Sequence, residues 1–141
     1  MLFAIRLASI DDVGAMHRLR NSVLENRLSD PHRVLEADYH PYVAACSIWV
    51  AVSGKDIVGF GAIDAPAATL WALFVDPVAE GRGVGRALLR HMDDWARRQK
   101  IRRLSLMTGK GTRAQKFYEQ AGYRSGVSND GEVLMEKALQ L

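Results

Sequence analysis

The sequence predicts an α/β (α+β) fold built on a mixed, mainly antiparallel central sheet flanked by helices. Three observations predict it. Strand-like runs of β-branched and aromatic residues are interspersed with apolar positions at helical spacing. Three consecutive strand-like runs are joined by short turns, which is the pattern of antiparallel pairing, and a strand, long helix, strand succession then demands a parallel crossover. The 141 residues, 48% of them hydrophobic, are enough for one domain with a core and too few for two ordinary ones. Residues 1–141 are therefore expected to form a single domain.

Residues 3–7 alternate as a first strand. Ser9-Ile10-Asp11-Asp12 offers a helix start with acids in its first turn, and Val13, Met16, Leu19 and Val23 continue at helical spacing to about Glu25. A polar loop over 26–31 follows. Pro41 suits the first turn of a helix and not its interior, so a short second helix is expected over 41–46, with 35–39 also able to be helical. Runs at 48–52 and 57–63 flank Ser53-Gly54-Lys55-Asp56, a hairpin signal. A connection containing Pro66 leads into a third strand over 69–75, which Pro77 ends. After a turn of three glycines, Leu88, Leu89, Met92, Trp95 and Ala96 mark one apolar face of a helix over 86–99. Residues 104–108 make a short strand. Thr112 and Gln115 form a capping box opening a helix through Phe117 and Tyr118 that stops at Gly122. Strands over 123–127 and 132–137 close the order β-α-α-β-β-β-α-β-α-β-β.

Composition narrows the function classes. No run approaches the roughly 20 apolar residues of a membrane helix, and the amino terminus lacks the basic leader and long apolar run of a secretory signal. A cytoplasmic protein without membrane association is expected. Cys46 is the only cysteine, which excludes an internal disulfide framework, and beside Tyr42, Val43 and Ile48 it reads as a buried structural thiol. His17, His32, His40 and His91 have no ligand spacing, so no metal is expected. The net charge of +3 is unevenly spread, since residues 82–116 hold 11 basic and 2 acidic side chains. A segment so basic suits an anionic partner, and without any nucleic-acid motif the partner expected is a phosphate-rich small molecule and no nucleic acid.

Glu80-Gly81-Arg82-Gly83-Val84-Gly85-Arg86 places three glycines between a strand end and a helix start. Backbone N–H groups there are free, the helix dipole favours negative charge, and missing side chains allow a phosphate to approach. A pyrophosphate site follows. No Lys-Ser/Thr pair completes a P-loop, and Arg86 stands where a dinucleotide fingerprint needs its third glycine.

This turn resembles motif A of the GNAT superfamily of N-acetyltransferases, Gln/Arg-x-x-Gly-x-Gly/Ala, in which Gly83 and Gly85 match. Ala114, Phe117-Tyr118-Glu119 and Gly122-Tyr123 resemble motif B of the same superfamily, and the two motifs at this separation are far more specific than either alone. The likeness departs at Glu80, an acid in place of the leading Gln/Arg, and at Gly111, where many relatives carry Asn. The resemblance implies a GNAT-like fold and acetyl-CoA as the acyl-donor substrate. Phe74, Val75, Gly81, Arg82, Gly83, Val84, Gly85, Arg86 and Phe117 would contact it, with pantetheine between strands 69–75 and 104–108. It further implies a backbone N–H near Val75 as oxyanion donor, Tyr118 as general acid, and direct transfer to a primary amine of a small molecule or peptide. Strand 69–75 lacks the carboxylate many relatives place there, so Glu25 and Asp64 are the candidate general bases, with Asp38 weaker; Trp71 and residues 21–27 are candidates for the acceptor pocket. Relatives are often homodimeric. The alternative is a non-catalytic acyl-CoA sensor of the same fold.

Overall fold

A computed structural model describes residues 1–24 and 34–140. Seven strands form one sheet in the order β1-β2-β3-β4-β5-β7-β6. They are β1 (Ala4–Leu7), β2 (Ile48–Ser53), β3 (Asp56–Asp64), β4 (Thr69–Val75), β5 (Arg103–Gly109), β6 (Arg124–Asn129) and β7 (Glu132–Ala138). Among the described residues four α-helices accompany them: α1 (Val13–Leu24), α2 (His40–Ala44), α3 (Val84–Arg98) and α4 (Arg113–Gln120). All neighbours pair antiparallel except β4 and β5. The expected α+β architecture, with helices around a mainly antiparallel sheet, is the one observed.

Local chemistry explains the elements. The Asp12 carboxylate accepts from the Ser9 N–H at 2.7 Å and from both Arg6 nitrogens at 2.7 and 3.0 Å, fixing the chain between β1 and the one-turn 3-10 helix that leads into α1. Residues 35–39, left open between loop and helix by the sequence, include a 3-10 turn over Glu36–Tyr39. Thr112 Oγ1 accepts from the Gln115 N–H at 3.3 Å, as a helix cap does, but the Gln115 side chain reaches the Gly111 N–H at 2.6 Å instead of the Thr112 amide. The expected box is thus displaced by one residue. Asp130 and Gly131, with φ of 49° and 81°, make the two-residue turn between β6 and β7.

The two sheet faces carry separate cores. Met16, Leu19, Tyr39, Val50 and Phe60 lie with α1 and α2 on one face, and Leu88, Met92, Leu104, Tyr118 and Met135 lie with α3 and α4 on the other. Gly61 brings α3 close: a Cβ there would lie 2.5 Å from Met92 Sδ. Burying a side chain such as Leu88 or Met92 contributes about 1.5–3 kcal/mol, so these faces hold the helices in place. Cys46 departs from expectation. It is exposed, because it sits at φ 55° where the chain turns from α2 to β2 and its side chain leaves the core.

Candidate active site

Two irregularities in the sheet open a site. Ile63 pairs with Leu70 while Ala62 pairs with Ala72, so Trp71 is an extra residue on β4, a β-bulge. A bulge sharpens strand twist and ends regular pairing. Among the described residues the β4–β5 ladder holds one register pair, Thr69 with Ser105, supported by the Ser105 N–H donating to Ala68 O at 3.1 Å. Beyond it the strands part. The Asp76 N–H donates to Val58 O at 2.8 Å, which sets the alternation of the β3–β4 ladder. By that alternation the backbone groups of Phe74 face β3, and those of Leu73 and Val75 face the β5 side, where no strand pairs with them.

The glycine turn stands at the end of this opened strand. Gly81 and Gly83 adopt φ of 73° and 84°, a left-handed backbone that costs other residues roughly 1–2 kcal/mol. The first helical bond of α3 is the Ala87 N–H to Gly83 O at 3.0 Å, and among the described residues the amides of 81–86 donate to no acceptor. These N–H groups and the positive end of the helix dipole define an anion cradle. Gly85 has a different reason to be small. A Cβ there would lie 3.4 Å from the Phe117 ring and 3.5 Å from Val75 Cγ2, facing the gap.

The gap and the cradle are one cleft of about 600 Å³, lined by Val75, Gly81, Gly83, Gly85, Phe117, Tyr118 and others. Phe74, Val84 and Arg86 also line it; Arg82 is exposed on the turn and outside the lining. Tyr118 is buried, and burial raises its phenol above the ordinary value. Among the described residues its hydroxyl has no hydrogen-bond partner, and no side-chain polar atom is both buried and unpartnered. The hydroxyl therefore opens to accessible space. Asp64 is not brought to the site. It pairs with Thr69 at the far end of β4, roughly 20 Å of strand from Val75, and its Oδ1 accepts from the Ala67 N–H at 3.3 Å. Glu25 lies outside the described residues, as does the loop over 26–31. Trp71 is outside the lining of this cleft and stacks on Tyr42 at 4.4 Å on the α1–α2 face of the sheet.

Leu73, Ala79 and Arg113 line the cleft without having been singled out in the sequence as site residues, and Glu80 and Ala114 line it having been read only as motif positions. Arg113 Nη1 lies 3.7 Å from Glu80 Oε2, a pair of cleft-lining residues in which the cation answers the anomalous acid of the turn. An uncompensated carboxylate beside a basic turn was the available signal. Leu73 was missed because its backbone direction depends on the bulge, and Ala79 because it lies in a one-turn 3-10 helix before the glycines; Val23, which also lines the cleft, falls in the stretch 21–27 expected near the acceptor. Among the described residues no group of three or more His, Cys, Asp or Glu could hold a metal ion, and no helix is long and apolar enough to cross a membrane.

A bulged strand parts from its parallel neighbour with a glycine cradle at its end, and comparison with known proteins places the chain within a family. It belongs to the GNAT acetyltransferases: residues 44–125, more than half the chain, match the acetyltransferase (GNAT) domain. Solved structures with the same fold include the PaiA N-acetyltransferase from Thermoplasma acidophilum in complex with coenzyme A (16% identity, 98% of this chain and 99% of that one, TM-score 0.80). Others are yncA from Salmonella typhimurium with its cofactor acetyl-CoA (18%, 98% and 94%, 0.80) and ribosomal-protein-alanine N-acetyltransferase from Brucella melitensis (21%, 96% and 99%, 0.78). At such identities the likeness shows the fold. No curated protein sequence matches the chain.

Proposed function

We propose that this protein transfers an acetyl group from acetyl-CoA to a primary amine by direct attack, with donor and acceptor bound together. The observation that carries the reading is the union, in one cleft, of unpaired Leu73 and Val75 backbone, the free amides of the glycine turn and Tyr118. The residues fit an elongated thioester with a central pyrophosphate: a cradle of N–H donors at one end, a strand edge with alternating donor and acceptor beside it, and apolar walls from Val84, Ala114 and Phe117. Bound acetyl-CoA supplies a thioester carbonyl already activated toward amines. The protein's residues do the rest.

The amides of 81–86 hold the diphosphate, with Arg86 adding charge, and Leu73 and Val75 bind the arm as an added strand would. The Val75 N–H stabilises negative charge developing on the carbonyl oxygen, a contribution of roughly 3–4 kcal/mol for one such donor in other enzymes. Tyr118, kept protonated by burial, donates a proton to the departing sulfur. Glu25, two residues after the lining Val23, accepts the amine proton in this reading. Among the described lining residues there is no Cys, Ser, Thr, Lys or His, which favours direct transfer over an acyl-enzyme. The coenzyme A complexes of neighbours support the donor, and the Brucella neighbour is named for an alanine acceptor on protein. A cytoplasmic setting, where acetyl-CoA is made and used, accords with this reading.

The test is thiol release from acetyl-CoA in the presence of polyamines, aminoglycosides, amino acids and peptide amino termini. Turnover with one class establishes the enzyme and its acceptor. Tight acetyl-CoA binding without turnover on any class would leave the sensor.

A further inference from the structure

The chain's first residues hold an uneven share of its exposed apolar surface. Among the described residues eight large hydrophobic side chains are exposed, and Met1, Leu2, Leu7 and Ile10 are four of them. They lie on and beside β1, the strand that ends the sheet, and among the described residues no strand pairs with its outer side. The β1–β2 ladder fixes which backbone groups that side presents. The Ala8 N–H donates to Ile48 O at 2.9 Å, and Arg6 lies opposite Val50 and Ile5 opposite Ala51. By the antiparallel alternation the groups of Ala4 and Arg6 face β2, and those of Ile5 and Leu7 face outward. Leu7 O accepts from Arg6 Nη1 at 3.1 Å, and its second lone pair can accept once more.

The opposite edge of the sheet is built differently. Strand β6, Arg124-Ser125-Gly126-Val127-Ser128-Asn129, is mostly polar, and its register shifts between Ser125 and Ser128. Polar side chains and an irregular ladder are the devices that keep an edge from pairing. The β1 edge has neither. Its one charge is turned back, since Arg6 is held by Asp12 at 2.7 Å, and the rest of residues 1–7 is apolar. Such an edge, with unused donors and acceptors, is a template for another strand.

We propose that β1 pairs antiparallel with β1 of a second copy of this chain, joining two sheets into one across a two-fold axis at Ile5. Antiparallel pairing of identical strands is self-complementary, as a two-fold interface requires. With Ile5 opposite the partner's Ile5, Leu7 falls opposite the partner's Phe3, so the outward-facing groups meet and two apolar side chains cover each other. Leu2, the most exposed of the four, lies opposite the partner's Ala8. Charge selects the same register. Arg6 lies opposite the partner's Ala4, whereas an axis at Arg6 would set two like charges face to face. The register also carries the exposed Asp11 to the end of the pair where the partner's Lys55 stands, and among the described residues neither side chain has an ion pair within its own chain. Strands β2 and β3 separate β1 from β4, so the cleft stays open in the dimer and the inference is independent of the acetyl-transfer reading.

Sedimentation velocity across a concentration series, with amide hydrogen exchange on the same samples, tests the assignment. The paired segment is short, so the dimer should be weak, with Kd on the order of 10–100 μM. As the protein passes from well below to well above that concentration, exchange of the Ile5 and Leu7 amides should slow several-fold while that of Val127 stays unchanged. Two variants disturb the edge and one serves as control, each checked for its fold by circular dichroism. Leu7→Lys places a charge on both sides of the axis and should weaken dimerisation by about tenfold or more. Leu7→Pro removes only an outward N–H, which an edge strand tolerates, and should act in the same direction. Val127→Lys, on the opposite edge, should dimerise as wild type does. A monomer throughout the series, a dimer whose Ile5 and Leu7 amides stay unprotected, undiminished dimerisation in the Leu7 variants, or its loss in Val127→Lys would overturn the inference and leave the cleft reading standing.

Discussion

At the scale of single residues, Tyr118 and the glycines carry the sharpest expectations. The Tyr118 hydroxyl has no protein partner among the described residues, so Tyr118→Phe should change stability by less than the ~1 kcal/mol of an ordinary hydrogen bond. If the hydroxyl protonates the leaving sulfur, kcat should fall by something on the order of 10² with coenzyme A affinity near wild type. Unchanged kcat in the folded variant would make Tyr118 a packing residue. Burial holds the phenol above its ordinary value, so no alkaline loss of activity from this group is expected below about pH 10. Gly83 and Gly85 separate two reasons for being small. Gly83→Ala meets no neighbour but inherits a left-handed backbone, and should cost stability by roughly 1 kcal/mol. Gly85→Glu has ordinary backbone and room for its Cβ, so it should fold, yet its carboxylate enters the cleft beside Phe117 and Val75 and should abolish coenzyme A binding in a calorimetric titration. Wild-type affinity in that variant would move the diphosphate elsewhere.

At the scale of elements, β4 shows how one inserted residue builds a site. The bulge at Trp71 keeps Trp71 and Ala72 on the α1–α2 core face, turns Leu73 and Val75 toward the other, and coincides with the end of pairing to β5. The entry to α1 rests on a charge instead. Arg6 hydrogen-bonding lowers the Asp12 carboxyl below its ordinary value, and the Ser9 amide and hydroxyl act in the same direction against desolvation. A carboxyl lowered in the folded state stabilises the fold above its unfolded value of about 3.9, and that stabilisation is lost as pH falls through the folded value. Arg6 is half exposed, which limits the worth of the pair. Asp12→Asn, still able to accept from the Ser9 amide, should therefore cost about 1 kcal/mol at pH 7 and progressively less below pH 4, measured by urea unfolding across that range. A difference independent of pH would assign the loss to packing.

For the molecule as a whole, the sequence was legible wherever a local rule decides the outcome. Helix α3 begins at Val84, within two residues of its predicted start, because Gly83 ends the turn and the apolar face repeats at helical spacing. The glycine turn, Phe117 and Tyr118 could be read because backbone freedom and motif spacing are properties of neighbouring residues. What stayed hidden depends on distant ones. That β7 and not β6 enters the sheet beside β5 is a choice between two paired strands, although the buried Val133 and Met135 against the wholly exposed β6 carry its trace. Asp64 was a plausible base until the sheet put it at the wrong end of β4, and the Glu80–Arg113 pair required the glycine turn and the first residue of α4 to meet. The most global expectation follows from the cleft. It is formed by β4, the glycine turn and α4, elements that come together only in the folded chain, so a ligand bound there favours the folded state by mass action. At a coenzyme A concentration of about 100 times Kd the gain is about 2.7 kcal/mol. For a chain of this size that corresponds to a rise of roughly 5–10 °C in Tm. Millimolar coenzyme A should produce that rise in wild type and none in Gly85→Glu. The paired measurement separates cleft occupancy from a general effect of an anionic solute on a basic protein, because the variant keeps the α3–α4 arginines. An equal rise in both would mean that coenzyme A stabilises the protein without using the cleft, and no rise in either would remove the acetyl-CoA reading.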